Sequence, residues 1–161
     1  MLVLVFYLGE TMYLIKYTAV REISPVVVLN QVPHTPEYFA GFFNYRGLLV
    51  PVIDLCHLVH GQACRMRLSS RIILVDYVDE KQQPQVLGLL AERVTEAVRK
   101  PLDAFIKPPL NFDETPYLGE VIMEDKQMIQ CIDLDALAEN FQFLHQLHDN
   151  HTPSETTGKP S

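Results

Sequence analysis

Four residues whose side chains can bind zinc lie close together in this sequence: Cys56, His57, His60 and Cys64. A zinc site takes four such ligands, and one helical turn would bring His57 and His60 to the same side. However, adjacent Cys56 and His57 point apart in either regular structure, and the spacing matches no known zinc pattern. We therefore expect no metal and no cofactor, and interpret the segment as a short surface turn. A metal site is the competing hypothesis.

Other residues capable of chemistry are better explained by structure. His145, His148 and His151 recur every three residues near the end of a predicted helix, where the helix dipole favours a cation. Asp54 and Asp133 could work as an acid–base pair, but each follows the same apolar strand pattern, which favours a structural role. The sequence has no glycine-rich phosphate loop and no nucleophile elbow. It therefore predicts a protein that is not an enzyme.

Composition and charge exclude several classes of partner. Apolar residues make up 48% of the 161 residues and charged residues 20%, which is typical of a globular protein with a buried core. The net charge of −7, from 13 basic and 20 acidic residues, argues against binding to nucleic acid or anionic membrane. The apolar opening segment is interrupted at Gly9 and is interpreted as a strand, so we expect no direct membrane insertion. The three cysteines fit reduced thiols in a cytoplasm.

Short β-rich segments bounded by turn residues dominate the sequence and predict a mainly β fold. The predicted strands are Leu2–Leu8, Met12–Tyr17, Leu48–Leu55, Arg71–Tyr77, Gln85–Ala91 and Gln127–Ile132. A helical turn is expected at Pro36–Ala40, since proline suits the first helical position. One long helix, capped by Asp133, is predicted over Leu134–His148. Residues 149–161 carry no apolar anchor and are expected to form a disordered tail.

An internal repeat organises the chain. Val20-Arg21-Glu22, Pro36-Glu37-Tyr38, Gly41 and Ile53-Asp54-Leu55 are followed at similar spacing by Val94-Thr95-Glu96, Pro116-Tyr117, Gly119 and Ile132-Asp133-Leu134. Two small β units would share a core, and the groove between them is the natural binding surface. The copies differ where Asn44–Gly47 stands against Glu124–Gln127. Asparagine and glycine tolerate left-handed backbone, so the first copy is expected to carry a special turn from which Arg46 projects.

The run from Pro36 to Leu55 resembles the signature of the CheW family, in which an Asn-Leu-Arg-Gly turn precedes a Pro-Val-Ile-Asp-Leu strand. Val20–Ile23 is similar to the family's Val-x-Glu-Ile element, and the likeness extends from about Val3 to Leu137. The resemblance implies an all-β fold of two intertwined five-stranded SH3-like barrels, with short helices and a C-terminal helix. We expect one domain over residues 1–148. Its first barrel would span about 10–66, its second about 67–133 plus the N-terminal strand, and its helix about 134–148.

The resemblance also implies a function and partners. A protein of this family is expected to be a cytoplasmic adaptor, recruited to membrane receptor arrays, that couples a chemosensory histidine kinase to methyl-accepting chemoreceptors. The residues implied for binding the kinase's regulatory domain are Val20, Glu22, Gly41, Asn44 and Arg46. We expect Glu22 and Arg46 to form a pair. The cytoplasmic tip of the receptor, a helix, is expected in an apolar groove between the barrels.

Three departures from the family pattern leave alternatives open. Tyr45 stands where the family carries leucine, Cys56-His57 follows the Asp-Leu pair where arginine is common, and the predicted helix is longer. These features motivate an alternative in which the chain couples a pilus-motility or surface-sensing pathway. A small metal-binding barrel protein is the remaining alternative.

Overall fold

The computed structural model describes residues 1–79, 81–108 and 115–140. In chain order the strands are β1 (Leu2–Leu8), β2 (Thr11–Lys16), β3 (Val20–Pro25), β4 (Phe39–Tyr45), β5 (Leu48–Asp54), β6 (Arg71–Val78), β7 (Pro84–Ala91), β8 (Arg93–Arg99), β9 (Phe105–Ile106), β10 (Leu118–Glu124) and β11 (Gln127–Ile132). Helix α1 covers Leu55–His60 and α2 covers Leu134–Asn140, and short 3-10 helices cover Tyr17–Ala19 and Leu102–Ala104.

The strands form two sheets with the same plan. The first has the order β3-β6-β7-β5-β4 and the second β8-β1-β2-β11-β10-β9. Each contains one parallel pair, β5 with β7 and β11 with β2. The second sheet has a sixth strand, β9, of only two residues, and a single bridge from Asn30 to Phe42 takes the equivalent position in the first. The prediction of a mainly β fold with two SH3-like units is confirmed.

The two repeats exchange hairpins, which is how the sheets are intertwined. The β1–β2 hairpin precedes β3 in the chain yet joins the second sheet, while the β6–β7 hairpin joins the first. The division of strands therefore differs from the expected ranges. Thr11–Lys16 lies in the second sheet, and Arg71–Val78 and Pro84–Ala91 lie in the first. Both hairpins are mainly apolar, which is typical of strands at the centre of a sheet, where both faces are buried.

The core shows this double burial directly. Leu4, Phe6 and Leu8 of β1 pack in the main hydrophobic cluster, whereas Val3 and Val5 pack in a second, smaller cluster. Successive residues of a strand point to opposite faces, so the alternation means that β1 has apolar neighbours on both sides. The exchanged β1–β2 hairpin thus lies at the centre of the second sheet.

The structural repeat matches the sequence repeat in its irregularities. The pairing of β3 with β6 shifts register between Val20 and Glu22, and the pairing of β8 with β1 shifts between Val94 and Glu96. Such a shift is a β-bulge, which sharpens the local twist and lets a short sheet curl into a barrel. Each barrel therefore bends at the same point of the repeat.

Two local predictions differ from the structure. Pro36–Ala40 forms a tight turn rather than a helical one. The Phe39 N–H donates to the Pro36 carbonyl at 3.0 Å, and strand β4 begins at Phe39. The surface turn expected after Asp54 is instead helix α1, which ends at Gly61 with a left-handed φ of 77°. Helix α2 is described as far as Asn140. Its predicted extension to His148, the three recurring histidines and the tail at 149–161 lie outside the described residues.

Candidate functional site

The five residues expected to bind a kinase all lie on the first sheet. Val20 and Glu22 belong to β3, Gly41 and Asn44 to β4, and Arg46 begins the turn between β4 and β5. Strands β3 and β4 are the two edges of this sheet. The barrel closes where these edges approach, so residues distant along the sheet become neighbours in space.

Gly41 makes the closure possible. Its φ of 132° lies in a region that residues with side chains rarely adopt. An added Cβ would lie 2.8 Å from the carbonyl oxygen of Asn30. Next to it, the backbones of Asn30 and Phe42 exchange hydrogen bonds of 2.9 and 2.8 Å. The structure therefore gives Gly41 a packing role beneath the candidate surface.

The turn that carries Arg46 is a two-residue hairpin. Arg46 and Gly47 have φ angles of 50° and 83°, which match the type I′ turn that fits the twist of paired strands. The Asn44 side chain holds it, because its Oδ1 accepts the Gly47 N–H at 3.1 Å. The equivalent turn of the second repeat, at Asp125 and Lys126, has φ angles of 49° and 66°. The first copy's turn is therefore not special in its backbone, and only its side chains differ.

Glu22, Tyr45 and Arg46 form one hydrogen-bonded and charged cluster. The Tyr45 hydroxyl donates to Oε2 of Glu22, and Nη2 of Arg46 lies 3.8 Å from the same oxygen. The Arg46 Cζ also lies 5.1 Å from the centroid of the Tyr45 ring, within cation–π range. The hydrogen bond to Glu22, aided by desolvation, raises the pKa of Tyr45. The expected pairing of Glu22 with Arg46 is present, and Tyr45 joins it.

The cluster is open to a partner. The Arg46 side chain is 78% exposed and that of Glu22 is 42% exposed. Leu48, which pairs with Tyr45 across the hairpin, is an apolar side chain that is half exposed. We call Glu22, Tyr45, Arg46 and Leu48 the first-sheet surface. It combines an arginine fork, an aromatic ring and an apolar side chain, which is the mixture found at the centres of protein interfaces.

The candidate zinc ligands do not converge. His57 Nε2 lies 3.3 Å from a carboxylate oxygen of Glu37, and His60 Nε2 lies 3.3 Å from the Tyr13 hydroxyl. The two histidines therefore have separate neighbours, and neither belongs to the group that the two cysteines form with Asp54. The four residues that the sequence grouped are not brought to one point.

The two cysteines lie instead beside Asp54, with ligand atoms of all three within 4.8 Å of one another. The Asp54 carboxylate is already engaged: Oδ1 accepts the His57 N–H at 3.1 Å and Oδ2 the Cys64 N–H at 3.0 Å. A hydrogen bond to Cys56, together with burial, raises the pKa of the Cys64 thiol. The Asp54 carboxylate therefore serves two backbone N–H groups, which gives it a structural role at this point.

Asp54 and Asp133 act as equivalent helix caps. Asp54 accepts the His57 N–H at the start of α1, and Asp133 accepts the Ala136 N–H at 3.1 Å at the start of α2. The backbone N–H of each aspartate also donates to a preceding tyrosine carbonyl, that of Tyr38 at 2.8 Å and that of Tyr117 at 2.7 Å. The structural interpretation of the two aspartates is confirmed.

A cavity of about 250 Å³ lies at the junction of the two sheets. Asp76 of the first sheet lines it together with Lys16, Glu120 and Cys131 of the second, and with Asp135 near the start of α2. Of its eleven lining residues, five are charged, and four of these are acidic. The apolar groove expected between the barrels stays a prediction. No helix among the described residues is long and apolar enough to cross a membrane.

Paired SH3-like barrels with exchanged hairpins define the architecture of a scaffold protein. Residues 2–142 match the family model of the CheW-like domain. The chain belongs to the CheW-like family, whose members are non-catalytic scaffolds, and it is a scaffold protein of chemotaxis signalling.

Individual relatives agree with this assignment. The chain is 30% identical over 135 residues to the probable chemotaxis protein CheW of Rhizobium etli, covering 82% of this chain and 83% of that protein. It is 25% identical over 141 residues to protein PilI of Pseudomonas aeruginosa, covering 86% and 76%. The crystal structure of the scaffolding protein TtCheW from Thermoanaerobacter tengcongensis superposes with a TM-score of 0.73 at 29% identity, covering 84% and 90%.

Proposed function

We propose that the chain is an adaptor that couples a chemosensory histidine kinase to methyl-accepting chemoreceptors, and that the kinase's regulatory domain binds the first-sheet surface. The observation that carries the proposal is the Glu22–Tyr45–Arg46 cluster, which stands exposed on the turn of the family signature. In this proposal the chain works in the cytoplasm and is recruited to membrane arrays through its partners.

Of the five residues expected to bind the kinase, some would contact it directly and the others would support the shape of the surface. Arg46 and Glu22 offer charged groups to a partner, because both are substantially exposed. Gly41 and Asn44 shape the barrel closure and the turn, and Val20 is half buried against the core. Substitution of a supporting residue is expected to weaken binding indirectly, through the shape of the surface. The direct contacts are tested at Arg46.

For the receptor, we propose the junction of the two sheets. The cavity there is lined by four acidic residues, Asp76, Glu120, Asp133 and Asp135, and by one basic residue, Lys16. Its charge favours a receptor helix that presents basic side chains as well as apolar ones. The junction also lies beside the N-terminus of α2, so both repeats would contribute to the contact.

The decisive experiment compares Arg46→Ala with Arg93→Ala. Arg93 is a matched control because its Cζ lies 4.4 Å from the centroid of the Tyr7 ring, in the same stacked arrangement but on the second sheet. We expect Arg46→Ala to weaken binding of a purified kinase regulatory domain more than about fivefold, as for an interface anchor, with folding intact by circular dichroism. Unchanged affinity in a folded Arg46→Ala protein would contradict the proposed surface.

A second candidate function keeps the scaffold but changes the pathway. The similarity to protein PilI, together with the unusual Tyr45, favours a coupler of pilus-driven or surface-sensing motility. Affinity capture from the native cell with wild type and Arg46→Ala in parallel separates the two, because mass spectrometry identifies the receptor and kinase that are recovered. Metal analysis of the purified protein tests the metal-binding alternative, which stoichiometric zinc would revive.

A further inference from the structure

We propose that Tyr45 is a positioning residue of the first-sheet surface: its hydroxyl fixes the Glu22 carboxylate and its ring carries the Arg46 guanidinium, so that Arg46 is presented to an acidic side chain of the partner. This inference rests on the proposed function, since it assigns the chemistry of the same kinase contact.

The hydroxyl provides the first half of the argument. Glu22 and Tyr45 lie on the two edge strands of the first sheet, and the hydrogen bond between them spans the barrel closure. A carboxylate that accepts a phenol hydrogen bond is held in one orientation, whereas a carboxylate facing leucine would turn freely. Tyr45 therefore gives Glu22 a defined position under Arg46.

The ring provides the second half. The Arg46 guanidinium lies over the Tyr45 ring at 5.1 Å and keeps a distance of 3.8 Å from Glu22 Oε2, which is an ion pair rather than a close hydrogen bond. With 78% of the side chain exposed, most of its N–H donors face solvent. Stacking on one face and a carboxylate behind it limit the directions that the arginine can take.

The partner's chemistry follows from the free donors. A guanidinium presents a planar fork whose spacing matches the two oxygens of a carboxylate, and pre-orientation reduces the entropy lost when that pair forms. We therefore assign the group opposite Arg46 as an aspartate or glutamate of the kinase's regulatory domain. The contact with Glu22 at 3.8 Å leaves most of the Arg46 side chain exposed to a partner.

The test is a set of full-length variants that remove single atoms. Tyr45→Phe deletes the hydroxyl, and Tyr7→Phe is the matched control, because Tyr7 also carries a stacked arginine but lies on the second sheet. Affinity for the purified regulatory domain is measured at about 50 and about 150 mM salt, where screening of an exposed pair differs. We expect Tyr45→Phe to bind about three- to tenfold more weakly, and Tyr7→Phe to bind as wild type.

Two further readouts separate positioning from general stability. In a Glu22→Gln background, Tyr45→Phe is expected to have little additional effect, because the hydroxyl acts through the carboxylate. Ultraviolet titration, taken as the difference between wild type and Tyr45→Phe, should show the Tyr45 phenol ionising at higher pH than in Glu22→Gln. A phenol titration that Glu22→Gln leaves unchanged would show that the bond is not formed in solution, and the inference would fall.

The outcomes distinguish this inference from the function on which it rests. If Arg46→Ala weakens binding and Tyr45→Phe does not, the kinase surface stands and the positioning role of Tyr45 is refuted. If neither variant changes the affinity, the proposed surface itself is refuted. A charge pair is screened by salt, so the loss of affinity caused by Arg46→Ala should be smaller at the higher salt concentration. An equal loss at both concentrations would contradict a carboxylate as the partner of Arg46.

Discussion

Replacing Asp54 with alanine is expected to cost far more stability than the same change at Asp133, although both residues cap equivalent helices. The internal repeat makes the comparison well controlled: the Ile-Asp-Leu context and the tyrosine carbonyl contact are shared. What differs is the number of backbone groups each carboxylate serves. Asp133 is exposed and accepts one N–H, whereas Asp54 is 6% exposed and accepts N–H groups from both His57 and Cys64.

The magnitudes follow from these contacts. Loss of a helix cap costs about 1 kcal/mol, and this is the whole effect expected at Asp133. At Asp54 the same loss is accompanied by a buried Cys64 N–H that has lost its acceptor, which adds about 1–3 kcal/mol. We therefore expect Asp54→Ala to lower the free energy of unfolding by about 2–4 kcal/mol. Asp54→Asn, which keeps one acceptor oxygen, should fall between wild type and alanine.

Urea denaturation followed by circular dichroism measures both variants, with the free energy of unfolding taken from the midpoint and slope. The m value should stay constant, because neither substitution alters the area exposed on unfolding. Equal destabilisation by Asp54→Ala and Asp133→Ala would refute the reasoning. It would mean that the Cys64 N–H finds another acceptor or that the loop from α1 to β6 contributes nothing to stability.

Three further outcomes are expected. Gly41 has a φ of 132°, and an added Cβ would lie 2.8 Å from a backbone carbonyl oxygen. Gly41→Ala should therefore lower the free energy of unfolding by about 1–3 kcal/mol in urea denaturation. Leu74 lies in the buried centre of the first sheet, whereas Leu68 is fully exposed. Leu74→Ala should cost about 2–5 kcal/mol and Leu68→Ala less than about 0.5 kcal/mol, and similar costs at the two positions would contradict this assignment. The Arg65 N–H bound to Glu92 holds the pKa of that carboxyl below its ordinary 4.5, so its stabilising contribution is complete above pH 4.5 and is lost as the pH falls through the lowered pKa. Denaturation from pH 7 to pH 3 should show a smaller acid-induced loss of stability in Glu92→Gln than in wild type, and equal losses would exclude this role.

The sequence predicted the strands that lie inside the sheets better than those at the edges. Leu2–Leu8, Arg71–Val78 and Pro84–Ala91 are central strands, and burial on both faces gives them a continuous apolar composition that is easily read. Strands β3, β4 and β8 are edges, and one of them, Arg93–Arg99, carries two arginines and a glutamate. An edge strand needs only one apolar face, so periodicity over six or seven residues gives a weak signal for it.

Helix α1 has a signal in the internal repeat of the sequence. Asp133 was predicted to cap a helix because an apolar repeat follows it, and Asp54 stands at the equivalent place of the first repeat. Helix α1 has only six residues, too few for a helical pattern of its own. The internal repeat could have transferred the cap from one copy to the other and predicted the helix.

The cluster of Glu22, Tyr45 and Arg46 was predictable only in part. Glu22 and Arg46 follow from the family signature, but the bond from Tyr45 to Glu22 joins residues 23 positions apart across the barrel closure. That closure depends on the contact of Gly41 with Asn30, and on a hairpin exchange that pairs β5 with a strand from the other repeat. Both are non-local contacts, which local propensity and periodicity do not encode.

Because hairpins are exchanged, the first-sheet surface belongs to both repeats. Glu22 pairs across the sheet with Leu74, and its neighbour Arg21 donates to Asp76 at 2.9 Å, so strand β6 of the second repeat holds β3 of the first in place. The first repeat alone lacks the central strands of its own sheet and cannot present the surface. If the first-sheet surface binds the kinase as proposed, core substitutions in the β6–β7 hairpin are expected to abolish that binding by unfolding the barrel. Only exposed side chains, such as Arg46, can separate recognition from folding.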